Sequence, residues 1–311
     1  MDKILKVKNG FGSIDDITLV SSDIERGELT MELTIQDHHL NDAGTLDEGV
    51  VATLADNYTT YILIAHSLAR EPEAMPISVS VCLSVHALVP VSPGTRMFVV
   101  CRAGNERLAK PHATAVFVDA NDREVVYARA SHTKHLKDVM GYELMKNVQT
   151  PVSQKELFSQ KDLISRATAY HKELLAAKVK LTTPPLSRLQ LVSITPLATK
   201  GDRITSAKLV YETTVEPSDC NTWGTIHGGC VFTLCNAVGK IATAVVVKGA
   251  RKIVSTDLTT NYLAGISVGA KVLLEVECLR TTKSLGFLRG VVRDQKGTVC
   301  YIWVQNVGFE I

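Results

Sequence analysis

Residues Asn221 to Asn236 read NTWGTIHGGCVFTLCN. A polar, turn-forming start (Asn221, Thr222) leads through Gly224 to His227, Gly228 and Gly229, and an apolar run with helical spacing follows at once. A glycine pair at a helix entry lets another group approach the backbone closely. The entry also leaves unpaired N–H groups and the positive end of the helix dipole facing whatever binds there. The same stretch occurs in altered form at Asn41 to Asp56, which reads NDAGTLDEGVVATLAD. The offset is constant at 180 residues: Asn41 answers to Asn221, Gly49 to Gly229 and Asp56 to Asn236. The later copy keeps HGG but has Asn236 where the earlier has Asp56; the earlier keeps that carboxylate but has Asp47-Glu48-Gly49 where the later has HGG. Each copy holds half of one site.

Length and composition set the bounds. A chain of 311 residues can build two domains with good cores, and 45% hydrophobic with 21% charged residues is ordinary for a globular protein. A net charge of +2 without a basic, aromatic-interleaved run argues against nucleic acid. No stretch reads as a membrane span, and the start MDKILKVKNGFGSIDD lacks a secretory apolar region. Seven cysteines with no C-x-x-C argue against a disulfide framework or a zinc site and suit a reducing compartment. The expected location is cytoplasmic or another reducing intracellular compartment, with a mitochondrial one left open. Cys230 and Cys235 fall in the apolar helix and read as small buried thiols.

In order along the chain, Ile17 onwards and Glu28 onwards alternate polar and apolar residues around a Glu25-Arg26-Gly27 turn, which predicts a hairpin. A helix is predicted from about Gly49 to Leu68, with Val50, Val51, Leu54, Tyr58, Tyr61, Ile62 and Ala65 at helical spacing. Strands are predicted at Ile77–Val89, Arg96–Ala103 with Ala113–Val118, and Glu124–Lys134. The second repeat predicts strands near Leu189–Ile194 and Ile204–Thr214, a helix over Gly229–Val247, and four closing strands. A repeat of this size is a duplicated domain and not a solenoid unit. The division is therefore residues 1–140, a helical junction at 141–188, and residues 189–311. In the junction, Ser153-Gln-Lys-Glu reads as a capping-box helix start and Leu157–Lys180 as an amphipathic helix closed by Pro184-Pro185. A plain connector is the favoured reading of that segment, a helix packed on the second domain the other.

The pattern N-x-x-G-T-[LI]-H-G-G, followed by an apolar helix with Asp seven residues after the last glycine, resembles the hotdog-fold acyl-CoA thioesterases, most of all the small type called thioesterase superfamily member 2. Both halves are covered, roughly Ile17–Lys137 and Leu189–Phe309, and the first half also ends in the family-like Ala130-Ser131-His132-Thr133-Lys134-His135-Leu136. The resemblance implies an α+β architecture of tandem hotdog domains, each a long central helix wrapped by an antiparallel β-sheet. It also implies hydrolysis of acyl-CoA to a free acid and CoA. In that family each site takes Asn and Gly from one subunit and Asp and Ser from the other. Carried over, the composite is Asn221, His227, Gly228 and Gly229 from the second half with Asp56 and Ser80 from the first.

The implied roles are specific. The Gly228 N–H polarises the thioester carbonyl and Asn221 adds a second contact through its amide, a donor pair that acts most strongly on a developing oxyanion. Asp56 positions or activates the attacking water, as general base or nucleophile, with Ser80 assisting. His227 braces the loop. Apart from the resemblance, the glycines read as a tight turn into a helix, and Asp56 as part of a polar stripe with Thr53, Asn57 and Thr60. In the mirror arrangement, Glu48 faces the incoming carbonyl oxygen with the wrong charge and Asn236, beside Ser255, cannot act as a base. That damage reads as local and partly reversible. Lys134, Lys137, Arg280 and Lys283 are the candidates for the CoA phosphates. No nucleotide fingerprint or metal-ligand cluster stands out in the sequence, so no cofactor or metal is expected beyond CoA as part of the substrate. The halves are expected to pair as an internal pseudo-dimer, further homo-oligomerisation staying open. The rival reading is a non-catalytic acyl-CoA-binding or regulatory protein of the same fold; hotdog dehydratases would want His and an acid differently arranged.

Overall fold

The computed structural model describes residues 16–70, 77–104, 111–137, 160–177, 183–200 and 203–311. The first half contains β1 (Ile17–Asp23), β2 (Glu28–Thr34), α1 (Glu48–Arg70), β3 (Ile77–Ala87), β4 (Arg96–Ala103), β5 (His112–Asp119) and β6 (Val126–Lys137). Two helices follow, α2 (Gln160–Ala176) and α3 (Thr183–Ser187). The second half contains β7 (Gln190–Lys200), β8 (Arg203–Thr214), α4 (Gly228–Val246), β9 (Arg251–Tyr262), β10 (Lys271–Thr281), β11 (Leu285–Asp294) and β12 (Val299–Glu310). Strand, strand, helix, then four strands is the order in both halves, the hotdog arrangement that the resemblance implies.

The described strands form one antiparallel sheet in the order β1-β2-β4-β5-β6-β3-β9-β12-β11-β10-β8-β7. The two halves join edge to edge through β3 and β9, where Cys82 to His86 pair with Asn261 to Asp257. Ser84 and Thr259 stand opposite each other at the middle of this seam, their hydroxyls 2.8 Å apart. Joining in this way removes the two inner edges that isolated halves would expose. Alternation along each strand sets the faces: Leu29, Met31 and Leu33 of β2, and Tyr301, Trp303, Val307 and Phe309 of β12, are buried toward the helices, while Ile302 and Val304 point outward.

Helices α1 and α4 lie side by side and antiparallel, since Glu48 meets Lys240 whereas Asp56 meets Gly229. Their approach is close because residue 229 is glycine: a Cβ there would lie 2.6 Å from Thr53 Oγ1 and 3.0 Å from Thr53 Cα. The sequence suggested no membrane-length apolar segment, and the structure corrects this. Helix α4, at 19 residues, is long and apolar enough to cross a bilayer, but 94% of it is buried inside the protein. It has no solvated face because the sheet, α1 and α2 surround it, and a helix that is apolar all round belongs in such a position.

The junction is also corrected. Its helix is not a plain connector: Leu163, Ala167, Tyr170 and Leu174 of α2 are buried in the common core, and Arg166 donates to the Val245 carbonyl of α4 at 2.9 Å. Tyr170 reaches the first half as well, donating to Asp42 Oδ2 at 3.0 Å. Pro184 and Pro185 sit inside α3. The proposed helix start at Ser153 lies outside the described residues. All seven cysteines are unpaired, with Cys230 and Cys235 buried.

Candidate active site

The N-terminus of α4 opens against the side of α1. His227 caps the helix, its Nδ1 accepting from the Gly229 N–H at 3.0 Å. Gly229 N–H also donates to Asp56 Oδ2 at 3.2 Å. Gly228 is the first helical residue, half-buried, and its N–H has no partner among the described residues. Its carbonyl accepts from the Tyr262 hydroxyl of β9 at 2.9 Å. A Cβ at position 228 would stand 2.7 Å from Asp56 Oδ2, so only glycine lets the carboxylate come this near. The chain keeps Gly-Gly here because both positions are in contact with α1.

Asp56 is 3% exposed. On the side away from α4 its Oδ1 meets Lys134 Nζ at 3.3 Å and Ser80 Oγ at 3.3 Å. Lys134 also donates to Ser80 Oγ at 3.1 Å. Ser80 and Lys134 face each other across β3 and β6, and His132, two residues back on β6, places Nε2 3.0 Å from Ser80 Oγ and 3.3 Å from Asp56 Oδ1. Alternation along the strand turns both His132 and Lys134 inward.

The hydrogen-bond partners assign the two imidazole tautomers. His227 Nδ1 accepts from Gly229, so its proton is on Nε2, which donates to Asn57 Oδ1 at 3.0 Å. Thr59 Oγ1 gives its proton to the Ala55 carbonyl at 2.5 Å, so it accepts from His132 Nδ1 at 2.7 Å and leaves the lone pair of that ring on Nε2. Both rings are kept neutral: burial pulls His132 down to about 3, with Lys134 acting in the same direction, and burial lowers His227 as well. For Asp56, burial pushes the carboxyl upward, but the Lys134 ammonium group beside it outweighs this and holds the group well below the usual carboxylate range. Burial lowers Lys134 while Asp56 draws it back up. The cluster is therefore an ionised carboxylate and an ammonium group with two neutral imidazoles beside them.

Six residues were expected from the sequence, and five come together here: Asp56, Ser80, His227, Gly228 and Gly229. Asn221 lies in the loop that leads into them. Its Oδ1 accepts from the N–H groups of Trp223 (2.9 Å) and Thr225 (3.3 Å), and its Nδ2 donates to Thr225 Oγ1 at 3.0 Å. These bonds shape the loop into an Asx turn. Of the phosphate candidates, Lys134 is 5% exposed and spent on Asp56, which removes it from that list. Arg280 and Lys283 are exposed but flank the Thr281–Gly286–Val307–Ser255 row of the sheet, beside Asn236 and away from Asp56. The Lys137 side chain lies outside the described residues. Sequence reasoning missed His132, Thr59 and Tyr262; for His132 the signal was its place two residues before Lys134 on one strand face.

The mirror position is filled from within. Glu48 does not face a pocket, as expected, but is buried, with Oε2 2.8 Å from Lys240 Nζ and 3.4 Å from Asn236 Nδ2, and with Oε1 accepting from the Ser255 N–H at 3.1 Å. Ser255 Oγ donates to Asn236 Oδ1 at 2.5 Å, and Gln305 Nε2 donates to the same oxygen at 2.8 Å and to Ser255 Oγ. Gly239 makes room for Gln305, whose Oε1 would otherwise meet a Cβ. Lys240 was missed, although it stands one helical turn after Asn236 and on the same face. Burial and the adjacent Glu48 push the Asp47 carboxyl up to about 7. Separately, Asp16, His38 and His39 bring ligand atoms within 4.8 Å of one another near the start of the described chain.

The fold has counterparts among known proteins. Residues 224–301 match the thioesterase superfamily. Mouse acyl-coenzyme A thioesterase 13 is 29% identical over 102 residues, 33% of this chain and 65% of that protein, and the human protein of the same name is 28% identical over the same shares. The chain thus spans just under two thirds of these relatives. Among solved structures, the tesB protein of Mycobacterium avium subspecies paratuberculosis aligns over 94% of this chain and 96% of its own at a TM-score of 0.57 and 10% identity. An acyl-ACP thioesterase from Bacteroides thetaiotaomicron aligns over 93% and 100% at 0.53 and 13% identity. At these identities the likeness is one of fold, and it extends over both halves.

Proposed function

We propose that this chain, which carries a thioesterase superfamily domain, hydrolyses acyl-CoA to a carboxylic acid and CoA at one site, built where the start of α4 in the second half meets α1 of the first. The observation that carries the reading is the Asp56 carboxylate lying against the Gly228-Gly229 helix entry, 3.2 Å from the Gly229 nitrogen. The names of the mouse and human relatives support acyl-CoA as the substrate class.

The chemistry follows from what each group can do. A thioester carbonyl seated at the helix entry accepts from the unspent Gly228 N–H, and the helix dipole adds to the pull. Water held by Asp56 attacks the carbonyl carbon, and the C=O electrons move to oxygen, where the Gly228 N–H meets the charge. Collapse re-forms the C=O bond, breaks the C–S bond and releases CoA thiolate; the proton lost by the water leaves through Asp56 to the thiolate or solvent. Asp56 is held so far down that it is a weak base, so orienting the water is its larger contribution. The mirror position, filled by Glu48 and Lys240, contributes no second site.

Release of free thiol from a panel of acyl-CoAs of increasing chain length tests this directly. Turnover that disappears in Asp56→Asn is expected. Tight acyl-CoA binding with no thiol release by the wild-type protein would overturn the assignment in favour of a binding protein.

A further inference from the structure

Lys134 lies against Asp56 and has no task in the proposed chemistry. Its stem runs through the interior from β6 and its Nζ is shared between Asp56 Oδ1 and Ser80 Oγ, at 3.3 and 3.1 Å. These atoms close a triangle, since Ser80 Oγ is itself 3.3 Å from Asp56 Oδ1. Sequence position alone suggested a surface cation for a phosphate, but a 5% exposed ammonium group cannot reach one.

The electrostatics give it a different role. The titratable groups facing Asp56 are Lys134 and His132 from β6, His227 from the start of α4, Tyr61 from its own helix and Tyr262 from β9. The two tyrosines are neutral. Both imidazoles are neutral as well, and their tautomers turn lone pairs toward the carboxylate: His227 Nδ1 stands 3.3 Å from Oδ2, and His132 Nε2 stands 3.3 Å from Oδ1. A buried carboxylate between two lone pairs would take up a proton or swing away. Lys134 supplies the full positive charge that prevents both.

We propose that Lys134 is a positioning residue of this site: its buried ammonium group holds the Asp56 carboxylate ionised and the Ser80 hydroxyl in line with it, so that both meet the substrate water in fixed geometry. The assignment rests on the thioesterase reading for its consequence in turnover, and on geometry alone for its effect on Asp56.

Two variants test it. In Lys134→Met the Asp56 carboxyl, followed by infrared difference titration against the same protein carrying Asp56→Asn, titrates at least about one pH unit higher than in wild type. The acid limb of kcat/KM moves up with it, and the affinity for CoA stays within about twofold by calorimetry. In Lys134→Arg the charge remains but the fork does not fit the triangle, so the carboxyl stays low while kcat falls about tenfold at unchanged KM. This second variant keeps the charge and serves if the methionine change prevents folding. An unmoved Asp56 titration in Lys134→Met, or wild-type kcat with a raised KM in Lys134→Arg, overturns the proposal and returns Lys134 to substrate binding. If wild type releases no thiol from any acyl-CoA, the thioesterase reading fails, and the infrared titration still decides the role of Lys134.

Discussion

The Gly229 N–H donates to Asp56 Oδ2 at 3.2 Å, across 173 residues of chain. A helix entry and a carboxylate from opposite halves thus share one hydrogen bond, and the neutral His227 imidazole competes for the same proton. Everything else at the site adjusts to this contact: two glycines clear the space, and Lys134 balances the charge.

Replacing Asp56 by Asn keeps the shape of the side chain but removes its charge. Thiol release is expected to fall about 10²- to 10⁴-fold in kcat with little change in CoA affinity. Asn236→Ala, at the mirror position, should leave kcat near wild type, because Asn236 is occupied with Ser255 and Gln305. Steady-state kinetics on one acyl-CoA compares the three proteins, and equal loss in both variants would contradict the assignment.

The two glycines should differ when each is changed to alanine. A methyl at 228 meets the tip of the Asp56 side chain, so Gly228→Ala displaces the carboxylate and lowers kcat about 10²-fold while costing modest stability. A methyl at 229 meets the backbone of Thr53, which cannot step aside, so Gly229→Ala costs about 1–3 kcal/mol of stability as well as turnover. Urea unfolding beside kinetics separates the two effects.

Asp47 should make stability depend on pH. Its carboxyl is raised from 3.8 to about 7, burial being the first cause and Glu48 the second. The folded chain therefore binds this proton more tightly than the unfolded chain. Its contribution is fully present below about pH 4 and is lost as pH rises through about 7, the slope being negative where the native state holds more protons. Asp47→Asn keeps the oxygen that accepts from Gly49 and Val50 but does not titrate. Urea midpoints between pH 4 and pH 8 should decline in wild type and decline less in Asp47→Asn; parallel curves would exclude Asp47 as the source.

Much of this molecule was legible in its sequence because the relevant signals are local or repeated. The spacing of Val50, Leu54, Tyr58 and Ile62 marks α1, and the 180-residue offset alone relates Asp56 to the Gly228 loop. What was hidden depends on partners distant in sequence. Lys134 resembles any strand-end lysine until Ser80 is known to stand opposite it, and Lys240 looks out of place in an apolar helix until Glu48 is found beside it. Asn221 is a related case: an Asn before a Gly can serve a substrate or its own turn, and the hydrogen bonds to Trp223 and Thr225 that build the turn are visible only in the fold. The packed role of α2 was underestimated because its buried face is narrow and its partner α4 lies on the far side of the second domain's first two strands in sequence.

The mirror position invites an attempt at repair, and the structure changes the expected result. Asp47→His, Glu48→Gly and Asn236→Asp together recreate HGG opposite a carboxylate, and the sequence alone suggested that this would restore a working pocket. Three contacts now argue otherwise. Removing Glu48 takes the partner from buried Lys240, and the new Asp at 236, one turn earlier on the same helix, is the nearest replacement, so the carboxylate is drawn to Lys240 along α4 and away from the loop. Gln305, seated over Gly239 and bonded to residues 236 and 255, occupies the place that His132 holds beside Ser80 at the other position. Helix α2 is fastened to the first-half loop through Tyr170 and Asp42, at the residue that answers to Thr222, and so limits the movement of that loop. On an Asp56→Asn background the triple variant is therefore expected to fold, because the ion pair is replaced and not lost, and to release no more thiol than Asp56→Asn alone. Glu48→Ala by itself is the contrasting case: it strands a buried ammonium group and should cost about 3–5 kcal/mol, whereas Glu48→Met with Lys240→Met should cost far less. Thiol release from the triple variant above the Asp56→Asn background would show that the mirror pocket admits substrate, and a stable Glu48→Ala protein would show that the ion pair is not what closes it.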